Sequence, residues 1–147
     1  MQEFLGRQIG RTGKVSQAWF DGRLAEHGGS LIGWIVLNNI EREPSQRELA
    51  GRMFIEAPTL VAHLDRLERD GFVERRRDAD DRRVVRVAIT PAGRRLRDQL
   101  RRVAEKCDAE IRSVLSENEQ RVLERALGRL HTYFTTPEAE RSARGDR

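Results

Sequence analysis

Helical periodicity, interrupted once by a strand-like segment, organises this chain. Leu5, Ile9, Val15, Trp19, Phe20 and Leu24 mark one side of a first helix over about residues 2–26, stopped by His27-Gly28-Gly29. Ser30 can cap a second helix, residues 31–41. Its run Leu31, Ile32, Trp34, Ile35, Val36, Leu37 and Ile40 predicts burial nearly all round. Arg42-Glu43-Pro44 ends that helix. Ser45-x-x-Glu48 is a capping box: the serine oxygen accepts the N–H three residues on, and the glutamate reaches back. It starts a short third helix through Ala50, followed by a turn at residues 52–56. In a fourth helix, about residues 57–70, Leu60, Leu64 and Leu67 share one face, and Gly71 closes the end.

The period then changes. Phe72-Val73-Glu74-Arg75-Arg76-Arg77 reads as one strand, residues 78–83 as a hairpin tip, and Val84-Val85-Arg86-Val87-Ala88-Ile89 as the return. After it Thr90 can cap a long helix and Pro91 can occupy its first turn, where proline has no N–H to lose. Leu96, Leu100, Val103, Cys107, Ile111, Val114 and Leu115 continue its apolar stripe. Ser116-Glu117-Asn118-Glu119 breaks and recaps the chain. A last helix carries Val122, Leu123, Ala126, Leu127, Leu130, Tyr133 and Phe134, and a polar, frayed tail is expected from Thr135. No repeat or low-complexity linker interrupts this order. The predicted fold is mainly α with a small β-hairpin (α+β): a winged helix-turn-helix at residues 30–92, flanked by helices at 1–28 and 93–135, all in one domain of 147 residues.

The fourth helix also defines an outward face. With Leu60, Leu64 and Leu67 inward, roughly 100° per residue puts Thr59, Ala62, Arg66 and Arg69 opposite, with Pro58 and His63 at the margins. Thr59 and Ala62 are small enough to approach base edges and thymine methyls. Arg66 can reach a guanine edge or a phosphate, and Arg69 suits a phosphate. An ordinary solvated helix would look the same taken alone. The short capped helix ahead of it shifts the reading towards a helix-turn-helix.

Charge sharpens the picture. The formal net charge is +4, which permits a polyanionic partner without requiring one. Its distribution is more specific: residues 75–86 hold six arginines against three aspartates. Arg82 and Arg83 fall at the hairpin tip, where a guanidinium can enter a narrow minor groove, with Asp80 or Asp81 orienting them. Arg75, Arg76 and Arg77 fit either phosphate contacts or a solvated ion-pair network. The candidate DNA-contacting set is therefore Ser45, Gln46, Pro58, Thr59, Ala62, His63, Arg66, Arg69, Arg77, Arg82 and Arg83.

Other chemistries find little support. Cys107 is the lone cysteine, which excludes an intramolecular disulfide and fits a reducing compartment. It continues a helical stripe, as a core or interface thiol would. His27, His63 and His131 are scattered, so no metal site and no cofactor is expected. His63 and Asp65 diverge by about 200° on a helix and form no dyad. With no glycine-rich phosphate loop or nucleophile elbow, the chain does not read as an enzyme. No apolar run of membrane-spanning length and no signal peptide is present, so a cytoplasmic protein is expected.

The run Leu64-Asp65-Arg66-Leu67-Glu68-x-x-Gly71, followed by Asp81-Arg82-Arg83-x-x-Arg86-Val87-x-Ile89-Thr90-Pro91-x-Gly93, resembles the multiple-antibiotic-resistance regulator (MarR) family, in particular its SlyA-like members. The resemblance spans nearly the whole chain. It implies a transcriptional regulator, typically a repressor, acting as an obligate homodimer on a pseudo-palindromic double-stranded operator. Pro58, Thr59, Ala62 and Arg66 would read the major groove and Arg82 the minor groove. Ala62 stands where the family often has a polar or basic residue, and Glu56 is a poorer helix cap than serine or aspartate. The resemblance further implies release by a small aromatic or phenolic effector, for which Trp19, Phe20, Leu31 and Trp34 are the candidate lining. Taken singly, each of these is more readily read as core. A structural or RNA-binding winged helix without ligand response is the alternative.

Overall fold

The structure, a computed structural model, describes residues 4–137. The element order is α1 (Leu5–Ala25), α2 (Leu31–Asn39), α3 (Gln46–Met53), α4 (Ala57–Arg69), β1 (Val73–Arg77), β2 (Val85–Ile89), α5 (Pro91–Ser113) and α6 (Glu117–Thr135). Gln2 and Glu3, expected in the first helix, lie outside the described residues, as does the expected tail beyond Pro137. Contacts divide the chain into two compact units, residues 1–106 and 107–147, with the division inside α5.

Local chemistry accounts for most boundaries. Ser30 caps α2 by accepting the Gly33 N–H at 3.0 Å. That helix ends two residues earlier than expected: Ile40 leaves the helical region at φ -85°, ψ 86°, and Arg42 and Glu43 then take left-handed backbone conformations before Pro44. The Ser45 capping box is complete: its Oγ accepts the Glu48 N–H at 3.1 Å, and its own N–H donates to Glu48 Oε2 at 2.7 Å. α3 runs on to Met53 and stops at Phe54, which is left-handed, so the turn is tighter than the expected five residues. Gly71 with φ +78° ends the turn after α4, where only glycine adopts the angle without strain.

In the first unit one core gathers Leu24 of α1, Val36, Leu37 and Ile40, Leu49 of α3, Leu60, Leu64 and Leu67 of α4, Val73 and Val87 of the hairpin, and Leu96 and Leu100 of α5. No residue of α2 is exposed, which agrees with its all-round apolar pattern. The hairpin is antiparallel, with Val73 opposite Ile89, Arg75 opposite Val87 and Arg77 opposite Val85. A third strand stub joins it. Ser45 bridges to Arg86, and the Val87 N–H donates to the Pro44 carbonyl at 2.9 Å. Nothing in the alternation of Pro44-Ser45 announces this pairing.

The second unit turns on residues 112–120. Arg112 donates to Asp108 at 2.7 Å and Glu124 at 2.9 Å, and Gln120 Nε2 donates to the Arg112 and Leu115 carbonyls. The expected recapping for α6 takes the form of a capping box between Ser116 and Glu119. No described residue of α6 is buried. Val122, Leu123, Leu127, Tyr133 and Phe134 are all exposed, as are Ile111 and Val114 before them.

Candidate nucleic-acid interface

α4 presents the face its periodicity predicts. Leu60, Leu64 and Leu67 are buried, while Pro58, Thr59, Ala62, Arg66 and Arg69 are exposed and His63 is half-buried. Glu56, the N-cap residue, makes no side-chain cap hydrogen bond, and Pro58 lies in the first turn. The leading N–H groups of α4 are thus left open to an outside acceptor. Ser45 and Gln46 sit at the other end of the helix-turn-helix. Ser45 is buried and its hydroxyl is engaged as a cap, and Gln46 Oε1 accepts from Arg75 Nη1 at 3.4 Å.

The hairpin tip is built around Asp78. Its Oδ1 accepts the N–H groups of Asp80 at 2.9 Å and Asp81 at 3.0 Å, and its Oδ2 accepts Arg86 Nε at 2.7 Å. These contacts, the Arg86 side chain first, hold the Asp78 carboxyl at about 2, below its ordinary 3.8. Asp81 receives Arg83 through two parallel bonds of 3.0 Å, which hold that carboxyl below the usual range. Arg77 Nη1 donates to the Arg82 carbonyl at 3.1 Å.

Sequence reasoning gave Asp80 or Asp81 to both tip arginines. Asp81 in fact orients Arg83 alone. The Arg82 side chain is exposed and joins no ion pair among the described residues, while its backbone is held by Arg77 and the Asp78 turn. A second correction concerns the three consecutive arginines. They do not form one network with the hairpin aspartates. Arg75 reaches back to Asp65 and Glu68 of α4, Arg76 pairs with Glu74 at 3.2 Å, and Arg77 binds backbone.

Trp19, Phe20, Leu31 and Trp34, the candidate effector lining, are all half-buried. Phe20 and Trp34 meet edge to face at 6.0 Å, and the Arg23 guanidinium lies 5.3 Å from the Trp19 ring centre. Trp34 Nε1 is buried with no hydrogen-bond partner among the described residues. A recess of about 300 Å³ lies elsewhere in the same unit, walled by Gly29, Gly33, Arg66, Asp70, Phe72 and Leu100 among others, and not by those four. Among the described residues no cluster of His, Cys, Asp or Glu could hold a metal, and no helix is long and apolar enough to cross a membrane.

Comparison with known proteins places this architecture. A model of the MarR family matches residues 27–84, from the end of α1 to the hairpin tip. The transcriptional regulator BldR of Sulfolobus solfataricus is 31% identical, with 90% of this chain and 99% of that one covered and a TM-score of 0.74. A mutant of E. coli MarR complexed with operator DNA is 25% identical over 86% of this chain and 92% of that one, with a TM-score of 0.77. S. aureus MepR in its DNA complex, 18% identical, shares the fold at a TM-score of 0.80 over 90% and 99% of the two chains. With its six helices, antiparallel wing and matching length, this chain belongs to the MarR family of winged helix-turn-helix proteins.

Proposed function

We propose that this chain is a sequence-specific, double-stranded DNA-binding transcriptional regulator, a repressor that acts in the cytoplasm as a homodimer on a pseudo-palindromic operator. One observation carries the reading: a single lobe pairs an exposed, small-residue helix face, Pro58, Thr59 and Ala62, with an uncommitted arginine, Arg82, on an ordered hairpin tip. α4 enters the major groove. Thr59 and Ala62 meet base edges, Arg66 and Arg69 serve a base edge or phosphates, and Arg82 enters the minor groove. Residues 30–92 form the DNA-binding lobe, and residues 1–28 and 93–135 the dimerisation helices. The uncovered apolar residues of α6 support that assignment, since a second copy would bury them. Half-sites would then lie about 10 base pairs apart, one helical turn.

Small aromatic or phenolic anions release the operator in this reading. Support comes from Trp34 Nε1, a buried donor that would donate to a carboxylate or phenolate oxygen beside Phe20. The SlyA-like subgroup is proposed on the motif at residues 81–93 alone. The test is quantitative binding to duplexes selected from a random pool. Thr59→Ala and Arg66→Ala should each relax base preference by about 1 to 3 kcal/mol per lost contact, while Arg82→Ala should weaken binding most on sites with a narrow minor groove. Equal losses on selected and random duplexes for all three contradict this readout scheme.

A further inference from the structure

Arg75 sits at the centre of the wing, opposite Val87, and is the most enclosed of the arginines in the hairpin's ion pairs, with its side chain 21% exposed. Its backbone N–H donates to Glu68 Oε1 at 2.8 Å. Its Nε and Nη2 donate to Glu68 Oε2 at 3.0 and 2.6 Å, Nη2 also to Asp65 Oδ1 at 2.6 Å, and Nη1 to Gln46 Oε1 at 3.4 Å. One side chain thereby links β1 to α4 twice and to α3 once. The hairpin's other strand is tied at its centre by the Pro44-Ser45 stub, which pairs with Arg86 and Val87, and further attachments lie on either side. Thr90 binds the Gly71 carbonyl at the base, and Arg86 binds Glu48 of α3 at 3.3 Å towards the tip.

We infer that Arg75 is a positioning residue, one that sets the angle between wing and reading helix so that Arg82 and Thr59 engage one duplex together, and that it contacts no phosphate itself. The guanidinium's donors already face two carboxylates and an amide, and a phosphate would have to displace charge-assisted bonds of 2.6 Å to reach them. Glu68 and Asp65 lie three residues apart on α4, so the fork reads the helix's orientation and not merely its distance. Removing either partner therefore loosens the wing's angle to α4 while the Pro44-Ser45 pairing still holds β2, so the wing stays folded and only its orientation relaxes. This inference rests on the DNA-binding reading above.

The sign of one substitution separates the alternatives. If Arg75 touched phosphate, Glu68→Gln would remove a competing acid beside the DNA and tighten binding. The positioning role predicts the opposite: Glu68→Gln and Arg75→Gln each weaken binding to a selected operator about tenfold, with Arg75→Lys intermediate because it lacks the fork. Both losses should shrink to less than about threefold in an Arg82→Ala background, because the residue being positioned is then absent. Thermal melting of each full-length variant accompanies the titrations. Should the Glu68 and Arg75 variants melt early, Asp65→Asn, which leaves Glu68's hold intact, gives the same comparison at smaller amplitude. Tighter binding by Glu68→Gln, or losses fully additive with Arg82→Ala, overturns the assignment. If the unaltered chain binds no duplex, the DNA-binding reading falls, and this inference with it.

Discussion

Five of the six hairpin arginines are engaged within the fold. Arg75, Arg76, Arg83 and Arg86 face carboxylates and Arg77 a carbonyl, which leaves Arg82 as the side chain with no such partner among the described residues. A surplus of positive charge along the sequence is thus a poor guide to which guanidinium is available, because acids of the hairpin itself and of α3 and α4 take up all the others but Arg77. At this scale Asp78 gives a pH prediction. Its carboxyl is held at about 2, chiefly by Arg86 and then by the N–H groups of Asp81 and Asp80. The ionised form is favoured in the folded state, so its contribution is complete above about pH 4 and is lost as the pH falls from about 4 towards 2. The amide resonances of Asp80 and Asp81 should move and their exchange quicken across that window, and Asp78→Asn should abolish the transition. Amides that stay unchanged down to pH 2 would show that the tip is not held by this carboxylate.

Among the elements, those with a strong local signal were legible. The Leu60, Leu64 and Leu67 face, the Ser45 capping box, the recapping at residues 116–119 and the Thr90-Pro91 start of α5 follow from spacing and cap chemistry, and the structure has them. What the residues did not announce is non-local or conformational. Such features are the Pro44-Ser45 strand stub, the left-handed Phe54 that stops α3, and the end of α2 before Arg42 and Glu43. The family motif's Gly93 also acquires a physical reason. A Cβ there would fall on the Phe72 carbonyl oxygen, which itself accepts the Thr90 N–H where the hairpin closes onto α5. Because that obstacle is backbone, Gly93→Ala should destabilise the fold by about 1 to 3 kcal/mol, read as a lowered midpoint in thermal or urea unfolding. An unchanged midpoint would mean that the wing base can shift freely.

For the molecule as a whole, the apolar stripes predicted burial along their full length, and the structure grants it only in part. Leu96 and Leu100 are buried, whereas Ile111 and Val114 on the same helix and Val122, Leu123, Leu127, Tyr133 and Phe134 of α6 are exposed, as are Leu5 and Val15 of α1. Periodicity reports that a face seeks burial and is silent on whether the same chain or another supplies it. In the proposed homodimer a second copy does. Leu123→Glu should therefore shift the chain from dimer to monomer in sedimentation velocity, with operator binding lost in parallel, while a dimer that persists would place the interface elsewhere.

The most direct measurement is fluorescence anisotropy of the full chain against three probes at one salt concentration: a duplex selected from a random pool, a random duplex, and a structured RNA, each repeated with Arg82→Ala. The proposed role predicts that the selected duplex binds at least about a thousandfold more tightly than the random one, that RNA competes poorly, and that Arg82→Ala removes much of the preference. Equal affinity for all three probes, unaffected by Arg82→Ala, would contradict sequence-specific DNA recognition by this winged helix.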